Sequence, residues 1–244
     1  MSDRIVQPLF RWLKEENKFI LRESNPAELA IKLRQKELDG AFLSPIDFAK
    51  DYSMYRIIPR VAAVSRKASG TIILVFKEDT RTIRSIGADP AYGSEIVLAS
   101  IILAEKFETY PQIIPTSKGP ECLNQNADAC LVCGNAALKL SGYNNKIDLV
   151  DEWYDLTELP YVHGFWVTRE NALTKEEIDS IIKSGEDTST HIIESTNADV
   201  QSESSLVSFS FGEIEIQGVV EFLRMAYYHG ILKDIPEVRF IGKE

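Results

Sequence analysis

The sequence has little cysteine and no apolar run of membrane-spanning length. Three cysteines, Cys122, Cys130 and Cys133, are too few and too clustered for a disulfide framework, and their odd number favours a reducing compartment. No stretch of about 20 apolar residues could span a bilayer, and no apolar run followed by a small-residue cleavage site lies near the N-terminus. We therefore expect a cytoplasmic, unexported protein with no membrane partner.

Positive charge is also scarce. The 244 residues include 27 Lys and Arg against 37 Asp and Glu, which gives a formal net charge of −10. A general nucleic-acid binder draws its affinity from neutralising phosphates, so we expect no nucleic-acid partner. Any anionic ligand must be held by local features. Apolar residues make up 44% of the chain, enough for one large domain or two small ones.

The usual cofactor and metal motifs are missing. There is no Gly-x-Gly-x-x-Gly turn, no phosphate-binding Gly-x-x-x-x-Gly-Lys loop and no Gly-x-Ser-x-Gly elbow. The pair Cys130-x-x-Cys133 has no matching second pair, so a zinc site lacks ligands, and both residues are interpreted as small buried core residues. The sequence therefore predicts neither a cofactor nor a metal.

Strands and helices alternate along the chain, which favours a mostly parallel sheet with helices on both faces. Two long apolar strands, 70–76 and 159–168, bracket a middle segment with its own strand-helix alternation. This connectivity predicts a chain that crosses into a second lobe and returns. We place the first lobe at 1–77 and 159–244, and the second at 78–158.

Capping and apolar patterns predict several helices within these lobes. A capped helix follows Ser24-Asn25, another opens at Gly93-Ser94, and a third starts at the capping pattern Thr174 to Glu177. Residues 184–205 are rich in Ser, Thr, Asp and Glu and predict an exposed helix with a mobile loop. The following segment GVVEFLRMAYYHGIL has a strong helical pattern.

Three sequence segments follow one another in the order found in a known protein family. PAELAIKLRQKELDGAFLSPIDF, DACLVCGNAAL and DEWYDLTELPYVHGFWVTRE together resemble the family of chorismate dehydratase and 1,4-dihydroxy-6-naphthoate synthase, enzymes of the futalosine route to menaquinone. The resemblance runs from about Pro8 onward. It implies an α/β, two-lobed fold like that of type II periplasmic binding proteins, with a ligand cleft between the lobes and a small anionic carboxylate as ligand.

The family motifs are altered at several positions. Family members open with a strand and a turn whose Asn reaches the substrate, but here Pro8 matches the turn's proline and Ile5 takes the place of that Asn. Almost no residues remain for the strand. The crossover serine of the family is matched by Thr71 or Ile72.

Of three other family motifs, two are also altered and one is better preserved. The Pro-Ser pair becomes Ser44-Pro45 and the Gly-Asp pair becomes Gly134-Asn135. Gly93-Ser94 resembles the family's Thr-Ser at a helix N-terminus, where a hydroxyl and free N–H groups could hold a carboxylate.

These matches give a set of candidate site residues. The catalytic candidates are His163, as a general base or donor, and Thr71. Tyr161 is two residues from His163 on one strand and is expected to share its face. The substrate-binding candidates are Ser44, Ser69, Gly70, Gly93, Ser94, Asn135 and Tyr161. A plainer interpretation stays open for six of them: His163 as a hydrogen-bonded core histidine, Ser94 and Asn135 as helix caps, and Ser44, Ser69 and Thr71 as turn residues.

The resemblance implies a carbon–oxygen lyase that removes water from chorismate to give an enolpyruvyl-oxybenzoate. A dihydroxynaphthoate synthase-like lyase is the second possibility, motivated by Gly70 in the crossover strand. The third is a non-catalytic cytoplasmic solute-binding or sensory protein, which the missing Asn and the altered Gly-Asp pair favour. The sequence leaves the oligomeric state open.

Overall fold

The computed structural model describes residues 5–24, 26–77, 80–116, 119–124, 127–140, 143–195 and 207–242. They divide into two compact units. The first unit contains the described residues up to Ser65, those from Pro160 to 195 and those from Val207 onward; the second runs from Arg66 to Leu159. The chain therefore builds its first unit from both ends of the sequence.

The first unit combines a four-stranded sheet with five helices. Its strands are β1 (Gly40–Leu43), β2 (Tyr55–Ser65), β8 (Tyr161–Arg169) and β9 (Val207–Ser208), in the order β1-β8-β2-β9. Its helices are α1 (Gln7–Glu15), α2 (Pro26–Arg34), α3 (Pro45–Ala49), α6 (Lys175–Ser195) and α7 (Glu213–Tyr228), with a short 3-10 helix at Tyr52–Met54. The predicted capping box forms at α6, where Glu177 accepts from the Thr174 backbone and hydroxyl.

The second unit has a five-stranded sheet and two α-helices. Its strands are β3 (Ile72–Phe76), β4 (Ser85–Ala88), β5 (Gln112–Pro115), β6 (Ala129–Cys133) and β7 (Lys146–Asp148), in the order β5-β4-β6-β3-β7. Its helices are α4 (Gly93–Phe107) and α5 (Leu149–Thr157), with 3-10 helices at Pro120–Asn124 and Gly134–Lys139. Helix α4 begins at Gly93, as predicted.

Each unit has its own apolar core. In the first, buried residues of α1, β1, β2, β8 and α6 form one cluster, which contains Leu9, Phe42, Val61, Trp166 and Ile181. In the second, Ile73, Val75, Cys130 and Val132 lie at the centre of a smaller cluster between β3 and β6. Burial of these side chains removes apolar surface from water, which stabilises each sheet against its helices.

The prediction of a mostly parallel sheet is wrong. Every strand pair of the first unit is antiparallel, and in the second only β4 pairs in parallel, with β5 and β6. The sequence analysis places the long strand at 70–76 in the first lobe. This strand is β3, which pairs with β6 and β7 and so belongs to the second unit. Strand β2, whose last residue is Ser65, is the strand that leads out of the first unit.

The cysteines depart from the sequence interpretation in one respect. All three are buried, as predicted for Cys130 and Cys133, but Cys122 and Cys130 form a disulfide, with Cα atoms 6.0 Å apart. Cys133 is not part of a disulfide. Folding brings the 3-10 helix at Pro120–Asn124 against β6, a proximity that sequence spacing does not show. Within the described residues, no helix combines the length and the apolar character needed to cross a membrane.

Candidate functional site

Two strands of the first unit place a serine against a histidine. Ser65 is the last residue of β2, and His163 is the third residue of β8. Ala63 faces Gly164 and Val64 faces Val162, so His163 is an extra residue, a β-bulge that re-aims its side chain. The Ser65 Oγ and His163 Nε2 atoms are 3.0 Å apart, and both side chains are buried.

Burial sets the charge of this pair. Removal from water lowers the pKa of His163 from its ordinary value of 6.5 to about 4, because the charged imidazolium is poorly solvated there. The ring is therefore neutral at pH 7, with one nitrogen as donor and the other as acceptor. A neutral imidazole can accept a proton, as a general base does, but a pKa of about 4 makes His163 a weaker base than an ordinary histidine.

Tyr161 lies beside this pair, as its spacing from His163 predicts. The two rings meet edge to face, with centroids 5.1 Å apart. On its other side the Tyr161 ring meets Phe222 of α7, at 5.6 Å and again edge to face. Because both contacts fix the tyrosine ring, the imidazole has a rigid apolar neighbour that holds its orientation.

Ser44 is buried in the first unit, and its hydroxyl is used within the chain. It is the N-cap of α3, where Oγ accepts from the Asp47 backbone N–H at 3.2 Å and donates to the Asp47 carboxylate at 2.8 Å. Asp47 is also paired with Lys50, at 2.7 Å. Ser44 is therefore a helix cap and not the turn residue that the sequence interpretation left open.

A turn before β3 gathers three of the candidate residues in the second unit. The Ser69 and Thr71 hydroxyls are 2.7 Å apart and both residues are buried. Between them Gly70 has φ +66°, a conformation that favours glycine, and its N–H donates to Asp148 at 2.6 Å. Gly134 donates its N–H to the Thr71 carbonyl at 2.8 Å, which ties the turn to the end of β6.

Asp148 joins this turn to helix α5. One carboxylate oxygen accepts from Gly70, and the other caps α5 by accepting from the Val150 and Asp151 N–H groups. Burial raises the pKa of Asp148, and the three backbone N–H donors oppose that rise. The carboxylate thus fixes the turn and the helix start relative to each other within the second unit.

Gly93 and Ser94 open the 15-residue helix α4, as predicted. The N-cap position belongs to Tyr92, so the interpretation of Ser94 as the cap is wrong, although Ser94 is buried in the first turn. A Cβ at Gly93 would meet no heavy atom within 4 Å, so the helix start is sterically open there. Amide groups in such a first turn lack partners inside the helix and attract anions.

Asn135 is exposed, inside the 3-10 helix Gly134–Lys139. That helix has Cys133 at its N-cap, so the capping interpretation of Asn135 is wrong too. Asn135 is thus the most exposed of the candidates, although Gly134 ties its segment to the Ser69–Thr71 turn.

Sequence reasoning missed two residues, Ser65 and Asp148. Ser65 ends the apolar run AAVS, and its importance depends on the opposite strand, which is about 100 positions away in sequence. Asp148 stands directly before the apolar start of α5, a capping signal that the sequence does carry. Across the part of the chain that the structure describes, no three His, Cys, Asp or Glu side chains group together as a metal site.

Comparison with known proteins gives a family and a fold. The sequence model of a menaquinone biosynthesis family matches residues 5–228. Protein AF1704 from Archaeoglobus fulgidus is similar in structure, with a TM-score of 0.65 and 15% identity over 94% of this chain and 96% of that one.

The descriptions of two further solved structures name the kind of protein that this fold resembles. The Candida albicans CA3427 gene product, described as having the generic periplasmic binding protein fold, matches with a TM-score of 0.58 and 14% identity over 96% of this chain and 89% of that one. The periplasmic aliphatic sulphonate binding protein SsuA from Escherichia coli matches with a TM-score of 0.58 and 14% identity, over 96% and 92%. The predicted periplasmic-binding-protein-like fold is confirmed. Because the family match extends over nearly the whole chain, the protein belongs to the menaquinone biosynthesis family.

Proposed function

We propose that the protein is a carbon–oxygen lyase of the chorismate dehydratase type, acting on a small anionic carboxylate. The observation that carries the proposal is the neutral, buried His163 hydrogen-bonded to Ser65 in a chain of this family. Dehydration of chorismate breaks one C–H bond and one C–O bond on adjacent ring carbons. It forms one C=C bond and releases water, with no change of oxidation state overall.

The proposed roles follow from this chemistry. His163 takes the ring proton, and Ser65 orients the imidazole through its 3.0 Å contact with Nε2. The proton then leaves with the departing hydroxide as water. Because the ring becomes aromatic, much of the driving force lies in the substrate, and the protein has mainly to position it. In the second unit, the start of α4 at Gly93-Ser94 stays a separate anion-binding candidate, since its first-turn amides favour an anion.

The direct test is turnover of chorismate by the purified protein, followed by mass spectrometry. We expect loss of one water from chorismate by the wild type. His163→Gln keeps a hydrogen-bonding group beside Ser65 but is a poor base, so turnover should fall by a factor on the order of 10²–10⁴. His229→Gln, at the end of α7, is the matched control and should retain turnover. Absence of the dehydrated product with correctly folded wild type would refute the proposal.

One observation favours a second candidate, a solute-binding protein without turnover. The hydroxyls of Ser44, Ser69 and Thr71 all have hydrogen-bond partners inside their own units, and Ile5, at the position of the family's Asn, packs against the first core. Such a protein would be stabilised by chorismate or a similar cyclic acid in a thermal melt, with no product formed. Turnover of a cyclic futalosine derivative instead of chorismate would indicate the dihydroxynaphthoate synthase branch.

A further inference from the structure

Two cysteines join a short helix to the sheet of the second unit. Cys122 lies in the 3-10 helix Pro120–Asn124 and Cys130 lies in β6, and a disulfide connects them across eight positions of sequence. Both side chains are buried, with 2% and 0% of their surface exposed. Cys130 shares one face of β6 with Val132, in the apolar cluster of the second unit, whereas Cys133 is three positions from Cys130 and falls on the other face. Cys133 therefore lies outside the pair.

The helix Pro120–Asn124 is held on the sheet by its side chains rather than by its backbone. Among the described residues, no backbone–backbone hydrogen bond joins 120–124 to β4 or β6. Strand β6, in contrast, is hydrogen-bonded on both sides, to β3 and to β4. A segment with few backbone hydrogen bonds to its neighbours opens at a lower free energy than the centre of a sheet. Local opening of this helix therefore exposes Cys122 while Cys130 stays in its strand.

The surroundings of the two sulfur atoms suit two thiols as well as one disulfide. Cys122 Sγ is 3.7 Å from the Gly87 carbonyl oxygen, and Cys130 Sγ is 3.7 Å from the Pro120 carbonyl oxygen. A disulfide sulfur carries no hydrogen, but a thiol is a weak donor, so each thiol has an acceptor in place after reduction. The position of Cys122 on β4 depends on Gly87, where an added Cβ would come 2.7 Å from Cys122 Sγ. Both oxidation states are therefore compatible with this packing.

We propose that Cys122 and Cys130 form a reversible thiol–disulfide switch, which holds the helix Pro120–Asn124 on β4 and β6 when oxidised and lets it open when reduced. The reductant is a dithiol. One of its thiolates attacks Cys122 Sγ, the S–S bond breaks, and Cys130 leaves as a thiolate that takes up a proton. The second thiol of the reductant then attacks the mixed disulfide and releases Cys122. Two electrons and two protons pass to the protein, and the reductant leaves as a disulfide.

The strands on either side of the switch lead to two segments that carry site candidates. Strand β4 ends at Ala88, shortly before α4 begins at Gly93, and Gly134 directly follows β6 and donates its N–H to the Thr71 carbonyl. The switch itself is independent of the proposed reaction, because neither cysteine has a role in it. In a reducing compartment, which the odd number of cysteines favours, disulfides are commonly transient and redox-sensing rather than permanent.

The experiment follows the bond in the native full chain. The protein is oxidised with diamide and then treated with dithiothreitol without denaturant, and acid stops the exchange at intervals. Thiols are counted by alkylation in denaturant and mass spectrometry, with circular dichroism as the check on folding. We expect one thiol before reduction, that of Cys133, and three afterwards in a protein that is still folded. Cys133→Ser is the matched control that keeps the pair, and Cys122→Ser removes it while its hydroxyl can still donate to the Gly87 carbonyl.

Dithiothreitol should lower the melting temperature of wild type and Cys133→Ser by roughly 5 °C and leave that of Cys122→Ser unchanged. Amide hydrogen exchange should become faster at residues 119–124 on reduction, while the β3–β6 pairing keeps its protection. A bond that resists dithiothreitol until the protein unfolds, or faster exchange throughout the second sheet, would overturn the proposal, because the bond would then be a structural one. Failure of diamide to form the bond in the native protein, or an equal shift in Cys122→Ser, would overturn it too.

Discussion

The buried imidazole of His163 makes the stability of the first unit depend on pH. Its pKa is about 4 in the folded protein and near the ordinary 6.5 when the chain unfolds. Between these values the unfolded chain binds more protons than the folded one. Stability therefore falls as the pH is lowered through this window, and the neutral ring's contribution is fully present only above it.

The size of the effect follows from the two pKa values. At pH 7 both states are mostly neutral at this site, and the linkage is small. At pH 5 the unfolded histidine is almost fully charged while the folded one is still neutral, which costs about 2 kcal/mol of unfolding free energy relative to pH 7. That is a large fraction of the stability of an ordinary domain.

The assay is urea unfolding at pH 7 and pH 5, followed by circular dichroism, for the wild type and for His163→Gln. Other groups titrate in both proteins, so the informative quantity is the difference between their pH dependences. The wild type should lose about 2 kcal/mol more than the variant on acidification. His229→Gln controls for the loss of a histidine outside the buried pair. If wild type and His163→Gln lose equal stability, burial does not lower the pKa of this imidazole, and the linkage argument is refuted.

Five further substitutions, at four positions, test the local geometry by urea unfolding at pH 7. Ser44→Ala should cost about 1 kcal/mol through loss of the α3 cap, and Ser44→Thr should recover most of it. Gly70→Ala should cost about 1 kcal/mol because Gly70 has a positive φ. Gly230 also has a positive φ and lies in open space, so Gly230→Ala should cost a similar amount. If neither variant loses stability, the strain argument is contradicted. Gly218→Ala places a Cβ 2.3 Å from the Pro160 carbonyl oxygen, so it should cost roughly 1–3 kcal/mol. At an ordinary helical glycine, the change to alanine increases stability. A gain in stability at Gly218 would therefore show that this contact relaxes freely.

Local signals in the sequence were sufficient for several helix starts but not for the pairing of strands. Gly93 at the start of α4 and Thr174 before α6 were predicted because capping and apolar periodicity are properties of neighbouring residues. The antiparallel pairing of β2 with β8 was not, since it joins segments about 100 residues apart. The same limit applies to the disulfide between Cys122 and Cys130, which depends on a short helix folding back onto β6.

In the candidate site, too, only the contacts between neighbouring residues were predictable. Tyr161 and His163 were predicted to share a face because they are two residues apart on one strand, and their rings are in contact. Ser65, the partner that completes the pair, was missed, since no local pattern in AAVS distinguishes a serine that ends a strand from one that meets a histidine. Asp148 was missed although it stands at a helix start, because its second role depends on the fold placing the Gly70 amide against it.

Several polar side chains of the candidate site form hydrogen bonds within the protein, and this affects how the protein could bind a ligand. Ser44 caps a helix, and Ser69 and Thr71 satisfy each other in a turn, so each would have to give up a hydrogen bond in order to bind a ligand. His163 is hydrogen-bonded too, to Ser65 through Nε2, but its imidazole has a second ring nitrogen. Loss of turnover in His163→Gln with unchanged ligand-induced stabilisation would therefore assign catalysis to this pair and binding to other groups. Ligand stabilisation without turnover in the wild type would mean that the buried histidine is structural and that the fold is used for binding alone.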